Sequence, residues 1–497
     1  MARQSRHLKS STRDPNRAFL AESRPAPEIC LELTDHSRTQ RSAADLFLLR
    51  TGADLPQQAA RLADQFITQN RPIFELFGVT ARREFDGAAV RLILDSSNQI
   101  GAAPLISPFT ARPDYGLVIH PRFPWPGIGP MLSEMGWRVC PAPLRLPLLK
   151  RSARKVPPWV LSVMVLARLK ALLDALERRF EQTFEERRAP KGKVLWEAYA
   201  TRSIARGRFL AVPCSYSDLD EDRRLKGAVR FTLERQLHSL ETQREAGVFV
   251  HRLIDLAESL LQRVRTVPPR RPSAADYLAW RHGPVHRPVV VEGLEAIDWT
   301  VEERGLAGAS DLEGVPWKMS MEEFFEAWVE VIFRAVLVRT GGRLRVGRLR
   351  QTVAALAWDP PYTGSQRSLV PDLVAELEAA TLIIDAKYKR HFEELEQADW
   401  GRLEEEIREE HRRDLLQVLT YAHLADAPLV GAFLVYPCTA ATWESLRMRR
   451  RLFHLAAVPS GSRRIWLGLT AVPMQTPVAP VVDALADQIR RWLSPSG

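Results

Sequence analysis

The chain has 497 residues, 45% of them hydrophobic and 26% charged, with a formal net charge of +10. That length predicts about two to four domains, and the excess of Lys and Arg favours a polyanionic partner such as nucleic acid. Four scattered cysteines (Cys30, Cys140, Cys214, Cys438) form no CxxC pair, which argues against structural zinc and suits a cytoplasmic protein, and the basic, polar Met1–Arg17 has no apolar core of the kind a secretory signal needs.

Residues 1–25, rich in Arg, Ser and Pro, read as a disordered basic arm. Residues 26–150 read as an α+β module. Ala59–Phe66 has helical character, while Ala89–Leu94, Ile100–Ile106 and Gly116–Ile119 are apolar runs bounded by turn residues, the pattern of strands. The prolines of Pro121–Gly127 forbid a ladder and predict an irregular loop. Residues 151–310 read as a mostly helical middle region. Pro157-Pro158 suit a helix start, and Leu161, Leu169, Leu172, Leu173, Leu176 and Phe180 share one helical stripe. Trp159–Leu176 carries Arg168, Lys170 and Asp174, too much charge to span a bilayer, so it predicts a buried helix and no membrane partner. Phe209–Val212 has strand character, Asp222–Val264 is a long helical region, and residues 266–273, rich in Pro and Arg, read as a linker. Residues 311–497 read as helix, three strands, helix, strand, then a last strand and helix. The expected fold class is multidomain α/β.

The chemistry gathers in that last region, at Val370-Pro371-Asp372-Leu373-Val374 and Thr381-Leu382-Ile383-Ile384-Asp385-Ala386-Lys387-Tyr388-Lys389. Side chains alternate along a strand, so Asp385 and Lys387 project to one side and Ala386 to the other. A hairpin or an adjacent strand brings Asp372 beside Asp385. Two close carboxylates repel unless one is protonated or a cation lies between them. Hard oxygen ligands select Mg²⁺, Mn²⁺ or Ca²⁺, not zinc. Such an ion polarises a phosphodiester and acidifies water, and Lys387 would orient that water or offset developing charge.

Neighbouring segments add candidates. Ser320-Met321-Glu322-Glu323 has the form of a capping box. The helix it starts carries Glu326 at the border of its apolar face, with Glu322 and Glu330 as alternatives. Gln417 and Tyr421 lie one helical turn apart. Arg343, Arg345, Arg348 and Arg350, interleaved with apolar residues, form a basic ladder that either contacts DNA phosphates or covers a solvated sheet face. The acidic run Glu393–Glu410 reads as an exposed helix face. Pro113-Asp114 is a second Pro-Asp, but no Asp/Glu-x-Lys strand follows it, so it reads as a turn. No G-x-x-x-x-G-K-[S/T] occurs, so the chain is expected to bind no nucleotide by a P-loop.

Pro371-Asp372 followed by Asp385-Ala386-Lys387 resembles the PD-(D/E)XK motif of restriction-endonuclease-like nucleases, with Glu326 before it and Gln417-x-x-x-Tyr421 after it at that superfamily's auxiliary positions. More narrowly, Phe325-Glu326, Ile384 to Lys389, Asp414-x-x-Gln417-x-x-x-Tyr421-Ala422 and Leu434 to Pro437 resemble McrC, the nuclease subunit of McrBC modification-dependent restriction systems. Arg206 to Lys226 resembles, more loosely, the stretch that precedes the nuclease domain in that family. The resemblance spans residues 155–475, is specific over 320–437, and does not reach 26–145. It implies a PD-(D/E)XK nuclease domain over 311–497. It also implies a Mg²⁺-dependent DNA endonuclease of a phage-defence system, with Asp372, Asp385 and Glu326 on the metal, Lys387 and Gln417 assisting, and Tyr421 auxiliary. It further implies an McrB-like AAA+ GTPase or ATPase hexamer acting in trans. The alternatives are an adaptor that activates such an NTPase without cutting, and a stand-alone repair nuclease.

Overall fold

Four strands from the first 143 residues and one from beyond residue 316 build the N-terminal sheet. Its order is Ile29–Thr34, Tyr115–His120, Gln99–Leu105, Trp317–Ser320, Ala142–Pro143; the first pair is parallel and the rest antiparallel. A computed structural model describes residues 29–497 apart from 50–54, 88, 148–156, 177–180, 219–222, 282–287, 303–304, 307–313, 361, 390–404, 461–462, 476–477 and 495–497. The arm expected over 1–25, Phe180 and much of the acidic run after Glu393 lie outside the described residues.

Each strand expected between 89 and 119 is present, at Ala89–Asp95, Gln99–Leu105 and Tyr115–His120. The helix expected over Ala59–Phe66 is longer, Leu55–Leu76, and buries Ala59, Leu62, Ala63, Phe66, Asn70 and Phe74 at helical spacing. Ala89–Asp95 is not in the five-stranded sheet. It is the centre of a second one, between Arg38–Ser42 and Thr80–Asp86. The loop expected over Pro121–Gly127 needs correction. Its second half opens a helix, Trp125–Glu134, because Pro126 falls in the first turn, where a missing N–H costs nothing.

Trp159–Leu176 is the helical centre of the middle region. It is buried on all sides from Trp159 to Leu166 and on one face from there to Leu176, packed against Pro288–Val301, Arg223–Glu241 and Val248–Arg263. Gly293 permits the closest of these approaches, since a Cβ there would sit 2.7 Å from Leu172 Cδ2. The long helical stretch after Asp222 is two helices, Arg223–Glu241 and Val248–Arg263, separated at Gly247, whose φ of 134° no helix admits. The strand expected over Phe209–Val212 starts only at Val212; Val212–Asp218 centres a small antiparallel sheet with Glu181–Arg187 and Lys193–Val194. The Pro-rich stretch after 266 is no free tether: Arg270 N–H donates to Gly227 O at 3.0 Å, and the Arg230 guanidinium donates to Val267 O at 2.9 Å.

The C-terminal sheet has six strands in the order Arg343–Val346, Leu373–Glu376, Thr381–Ala386, Leu429–Cys438, Arg463–Pro473, Phe453–Ser460. The first three form an antiparallel meander. Thr381–Ala386, Leu429–Cys438 and Arg463–Pro473 run parallel. Helix Glu405–Ala422 lies on the crossover between the first two parallel strands. Beyond the single strand expected near the end, Phe453–Ser460 and Arg463–Pro473 form a hairpin preceded by helix Ala440–Met448. Helix Met321–Thr340 starts at Ser320, whose hydroxyl accepts from Glu323 N–H at 3.2 Å, and packs against Ala479–Leu493. Because Trp317–Ser320 lies in the N-terminal sheet and runs directly into this helix, the sheet crosses the domain line expected at 311. No helix among the described residues is long and apolar enough to cross a membrane.

Candidate active site

Register builds the site. Leu373 pairs with Ile384, so the next step outward sets Asp372 opposite Asp385. Directly opposed residues of an antiparallel pair hold their Cβ atoms about 5 Å apart. Asp372 is held on two sides: its Oδ2 accepts from Ala386 N–H at 2.8 Å, and its carbonyl accepts from Gly347 N–H at 2.7 Å. Gly347 has to be glycine for that approach, as a Cβ would lie 2.4 Å from Pro371 O.

Asp385 is completely buried, and neither of its carboxylate oxygens receives a well-aligned hydrogen bond. Lys387 Nζ stands 2.8 Å from Oδ2 as an ion-pair partner. The same ammonium donates to Gln417 Oε1 at 3.1 Å, and Gln417 Nε2 donates to Tyr421 Oη at 3.0 Å. The expected pairing of Asp385 with Lys387 on one face is therefore present. So is the turn-spaced pair Gln417 and Tyr421, which reaches the lysine from the crossover helix.

Charge follows geometry. Burial, then the Asp385 and Glu326 carboxylates, push Asp372 well above the usual carboxylate range. Burial also raises Asp385, against the pull of Lys387. Glu326 is pushed up to about 7 by burial, by Glu322 and by Asp385, with Lys387 opposing. Burial works against the Lys387 charge, but Asp385 and Asp372 outweigh it and raise the lysine's pKa. Lys387 is thus a fixed cation, suited to hold negative charge and not to remove a proton.

Three glutamates stood as helix candidates, and their surroundings separate them. Glu322 accepts from Asn98 Nδ2 at 2.6 Å. Glu330 is 1% exposed and accepts from Arg138 Nη1 at 2.9 Å, Arg334 Nε at 2.8 Å and Arg348 Nη2 at 2.5 Å. Glu326 is the one close enough to feel the charges of Asp385 and Lys387 and to act on Asp372. The basic ladder divides likewise. Arg348 is tied to Glu330, and Arg345 to Glu376 at 3.1 Å and to Gln351 O at 2.8 Å; Arg343 and Arg350 are exposed.

The sequence reading gave no role to a second buried group beside the lysine. Lys389 Nζ donates to Asp414 Oδ1 at 2.8 Å, Tyr436 Oη donates to Asp414 Oδ2 at 3.3 Å, and His411 Nδ1 is 3.3 Å from Tyr436 Oη. Asp414 lies three residues before Gln417, one turn of the same helix, and that spacing was the available signal.

Among the described residues no group of three or more His, Cys, Asp or Glu is arranged as a ready metal cage. The donor set nevertheless fits a hard divalent cation: two opposed carboxylates, one buried and one half-buried, with Asp385 oxygens that no well-aligned hydrogen bond satisfies.

Residues 302–437 match the family described as McrBC 5-methylcytosine restriction system component. Over that segment the chain is similar to the McrBC family. The segment contains Glu326, Asp372, Asp385, Lys387, Gln417 and Tyr421 and overlaps residues 320–437, where the motifs are most specific. Among solved structures, the chain is similar to one in the refined half-complex from the tetradecameric assembly of Thermococcus gammatolerans McrB AAA+ hexamers with bound McrC. Identity there is 13% and the TM-score 0.42, covering 93% of this chain and 100% of that one. A chain in the cryo-EM structure of the Thermococcus gammatolerans McrBC complex shares 15% identity at a TM-score of 0.26, over 64% of this chain and 89% of that one. No match is found among curated proteins.

Proposed function

We propose that this McrBC-like chain is a PD-(D/E)XK-type, divalent-cation-dependent DNA endonuclease, the cutting subunit of an NTPase-driven, modification-dependent restriction system. The observation that carries the reading is the opposition of Asp372 and Asp385 with Lys387 held against Asp385. Asp372, Asp385 and Glu326 would hold Mg²⁺, or Mn²⁺ in its place, which when bound supplies Lewis-acid polarisation of a phosphodiester. The protein's own share is positioning. The meander fixes the two aspartates, Gln417 fixes the lysine, and the lysine offsets negative charge that develops on the phosphoryl oxygens.

The test is cleavage of methylated and unmethylated plasmid by the purified chain with Mg²⁺, alone and with the AAA+ protein encoded beside it plus GTP or ATP. Lys387→Ala is expected to slow cleavage at least about a hundredfold, the scale of a lost charge-stabilising donor. NTPase stimulation without cleavage under any condition would favour the adaptor. Full activity of the isolated chain would favour a stand-alone nuclease.

A partner is expected in trans because the sequence has no P-loop. The lobe formed by residues 181–218 suits docking: Phe184, Trp196, Phe209 and Leu210 are each about two-thirds exposed, 66%, 70%, 65% and 70% respectively. Apolar side chains grouped at this exposure mark a contact surface. Trp196→Ala combined with Phe209→Ala should weaken co-assembly with the AAA+ protein at least about tenfold, the scale of a lost aromatic anchor. Sedimentation of the mixture with GTP or ATP reads this out, and unchanged assembly would move the contact elsewhere.

A further inference from the structure

The residue after the lysine points away from the site. Successive side chains of an extended segment alternate, so Tyr388 leaves the sheet on the side opposite Lys387 and enters the N-terminal module. It is 3% exposed. Its phenol donates to Asp35 Oδ2 at 2.5 Å, across 353 residues of sequence. Asp35 is 1% exposed and is fixed where two parallel strands end: its N–H donates to His120 O at 2.9 Å, and its Oδ1 accepts from Arg122 N–H at 2.6 Å. The Arg122 guanidinium lies 4.4 Å from the centre of the Tyr388 ring. His36, Phe123 and Phe325 close the ring's sides at 5.5, 6.1 and 6.1 Å between ring centres.

The pairing of neighbours gives this plug its meaning. Phe325 is followed by Glu326 on its helix, and Tyr388 is preceded by Lys387 on its strand. Each dipeptide places one residue in the candidate site and its neighbour in the plug, Tyr388 on Asp35 and Phe325 on the Tyr388 ring. We infer that the N-terminal module is a clamp on the active site, in which Asp35 is a positioning residue that acts through Tyr388 to hold Lys387 in register with Asp385 and Gln417. Beyond Ala386, where the strand ends, Lys387 has one backbone tie to the sheet, N–H to Val435 O at 2.9 Å. The Tyr388–Asp35 bond fixes the next residue from the other side. Burial and the Asp35 carboxylate raise the Tyr388 phenol well above its ordinary pKa, so it stays a donor through neutral pH. A movement of the N-terminal module, for instance by a partner seated on it, would reach the lysine through one side chain.

The inference rests on the nuclease reading, and two measurements keep the two separable. Tyr388→Phe removes one hydroxyl and keeps the ring; Asp35→Asn keeps the shape and removes the charge. With the full chain and its AAA+ partner, Tyr388→Phe should lower the maximal cleavage rate about tenfold or more, while half-saturation for DNA stays within about twofold; small misplacement of a catalytic group has this signature. Independently of activity, hydrogen exchange at the amides of Lys387 and Lys389 should quicken in both variants of the full chain, with exchange in Arg463–Pro473 unchanged. An unchanged rate with unchanged exchange overturns the clamp. So does quickened exchange with no loss of rate, which would make the bond structural only, and so does a rise in half-saturation that accounts for the whole loss. If the unaltered chain cuts nothing under any condition, the nuclease reading fails, and exchange alone decides whether Asp35 holds this segment.

Discussion

Asp385→Asn is expected to abolish metal-dependent cleavage and, in the absence of divalent cations, to raise the melting temperature. The two effects have one cause. Asp385 is fully buried opposite a second carboxylate, and neither of its oxygens receives a well-aligned hydrogen bond. A buried acceptor without a donor costs about 1–3 kcal/mol, more if charged. Lys387 offsets part of that at 2.8 Å. Asparagine keeps the volume, removes the repulsion with Asp372, and offers an amide that can donate to it. A gain on the order of 1 kcal/mol is expected from the lost repulsion, because Lys387 keeps Asp372 as a counter-charge. Adding Mg²⁺ then reverses the order. A cation bound only by the folded chain stabilises it by about 2.7 kcal/mol at a hundredfold excess over its dissociation constant, and the variant loses that response. Differential scanning calorimetry with EDTA and with a Mg²⁺ series checks both halves. A wild-type chain whose melting temperature ignores Mg²⁺, or an Asp385→Asn chain that still cuts, would sink the site.

The parts of this site that were legible in the sequence are those set by local geometry. Two-residue alternation puts Asp385 and Lys387 on one face, and a meander with a short turn can only bring Asp372 to its neighbour. One helical turn joins Gln417 to Tyr421. What was not legible depends on chain segments far apart. Nothing near residue 35 announces a bond to residue 388. Nothing in Trp317–Ser320 says that it joins a sheet begun at Ile29 before its own domain starts. The arginines show the same limit from another direction. Their spacing leaves a phosphate-binding ladder and a solvated sheet face both open; that Arg345 and Arg348 lie beside Glu376 and Glu330 is what sequence distance hid. Pro121–Gly127 was misread for a local reason: the ban on a ladder is sound, but a proline in the first turn of a helix breaks no bond.

Glu330→Ala is expected to destabilise the chain by about 3 kcal/mol, and the loss should be pH-dependent. Glu330 is 1% exposed, and three guanidiniums converge on it from three places in the chain: Arg138 after the Trp125–Glu134 helix, Arg334 one turn along its own helix, and Arg348 beside the Gly347 turn. Removing the acid leaves three cations facing one another over an apolar base. A broken buried pair costs about 3–5 kcal/mol. The lower end applies here, because side chains 45%, 44% and 35% exposed can turn partly into water. Burial opposes ionisation of Glu330, but hydrogen bonds from Arg348 and Arg334 outweigh it and hold its pKa below the ordinary value. A carboxylate depressed in the folded state contributes stability that is present above its unfolded pKa, near 4.3, and is lost as pH falls through the folded value. The difference between wild type and Glu330→Gln in urea midpoint should therefore be largest near neutral pH and shrink below about pH 4. Activity should fall with stability. Arg348 adjoins Gly347, whose N–H holds the Asp372 carbonyl at 2.7 Å, so a displaced arginine disturbs the first aspartate of the candidate site. A Glu330→Ala chain within about 0.5 kcal/mol of wild type, the range of an ordinary surface change, would show that the three arginines find water as readily as they find this glutamate.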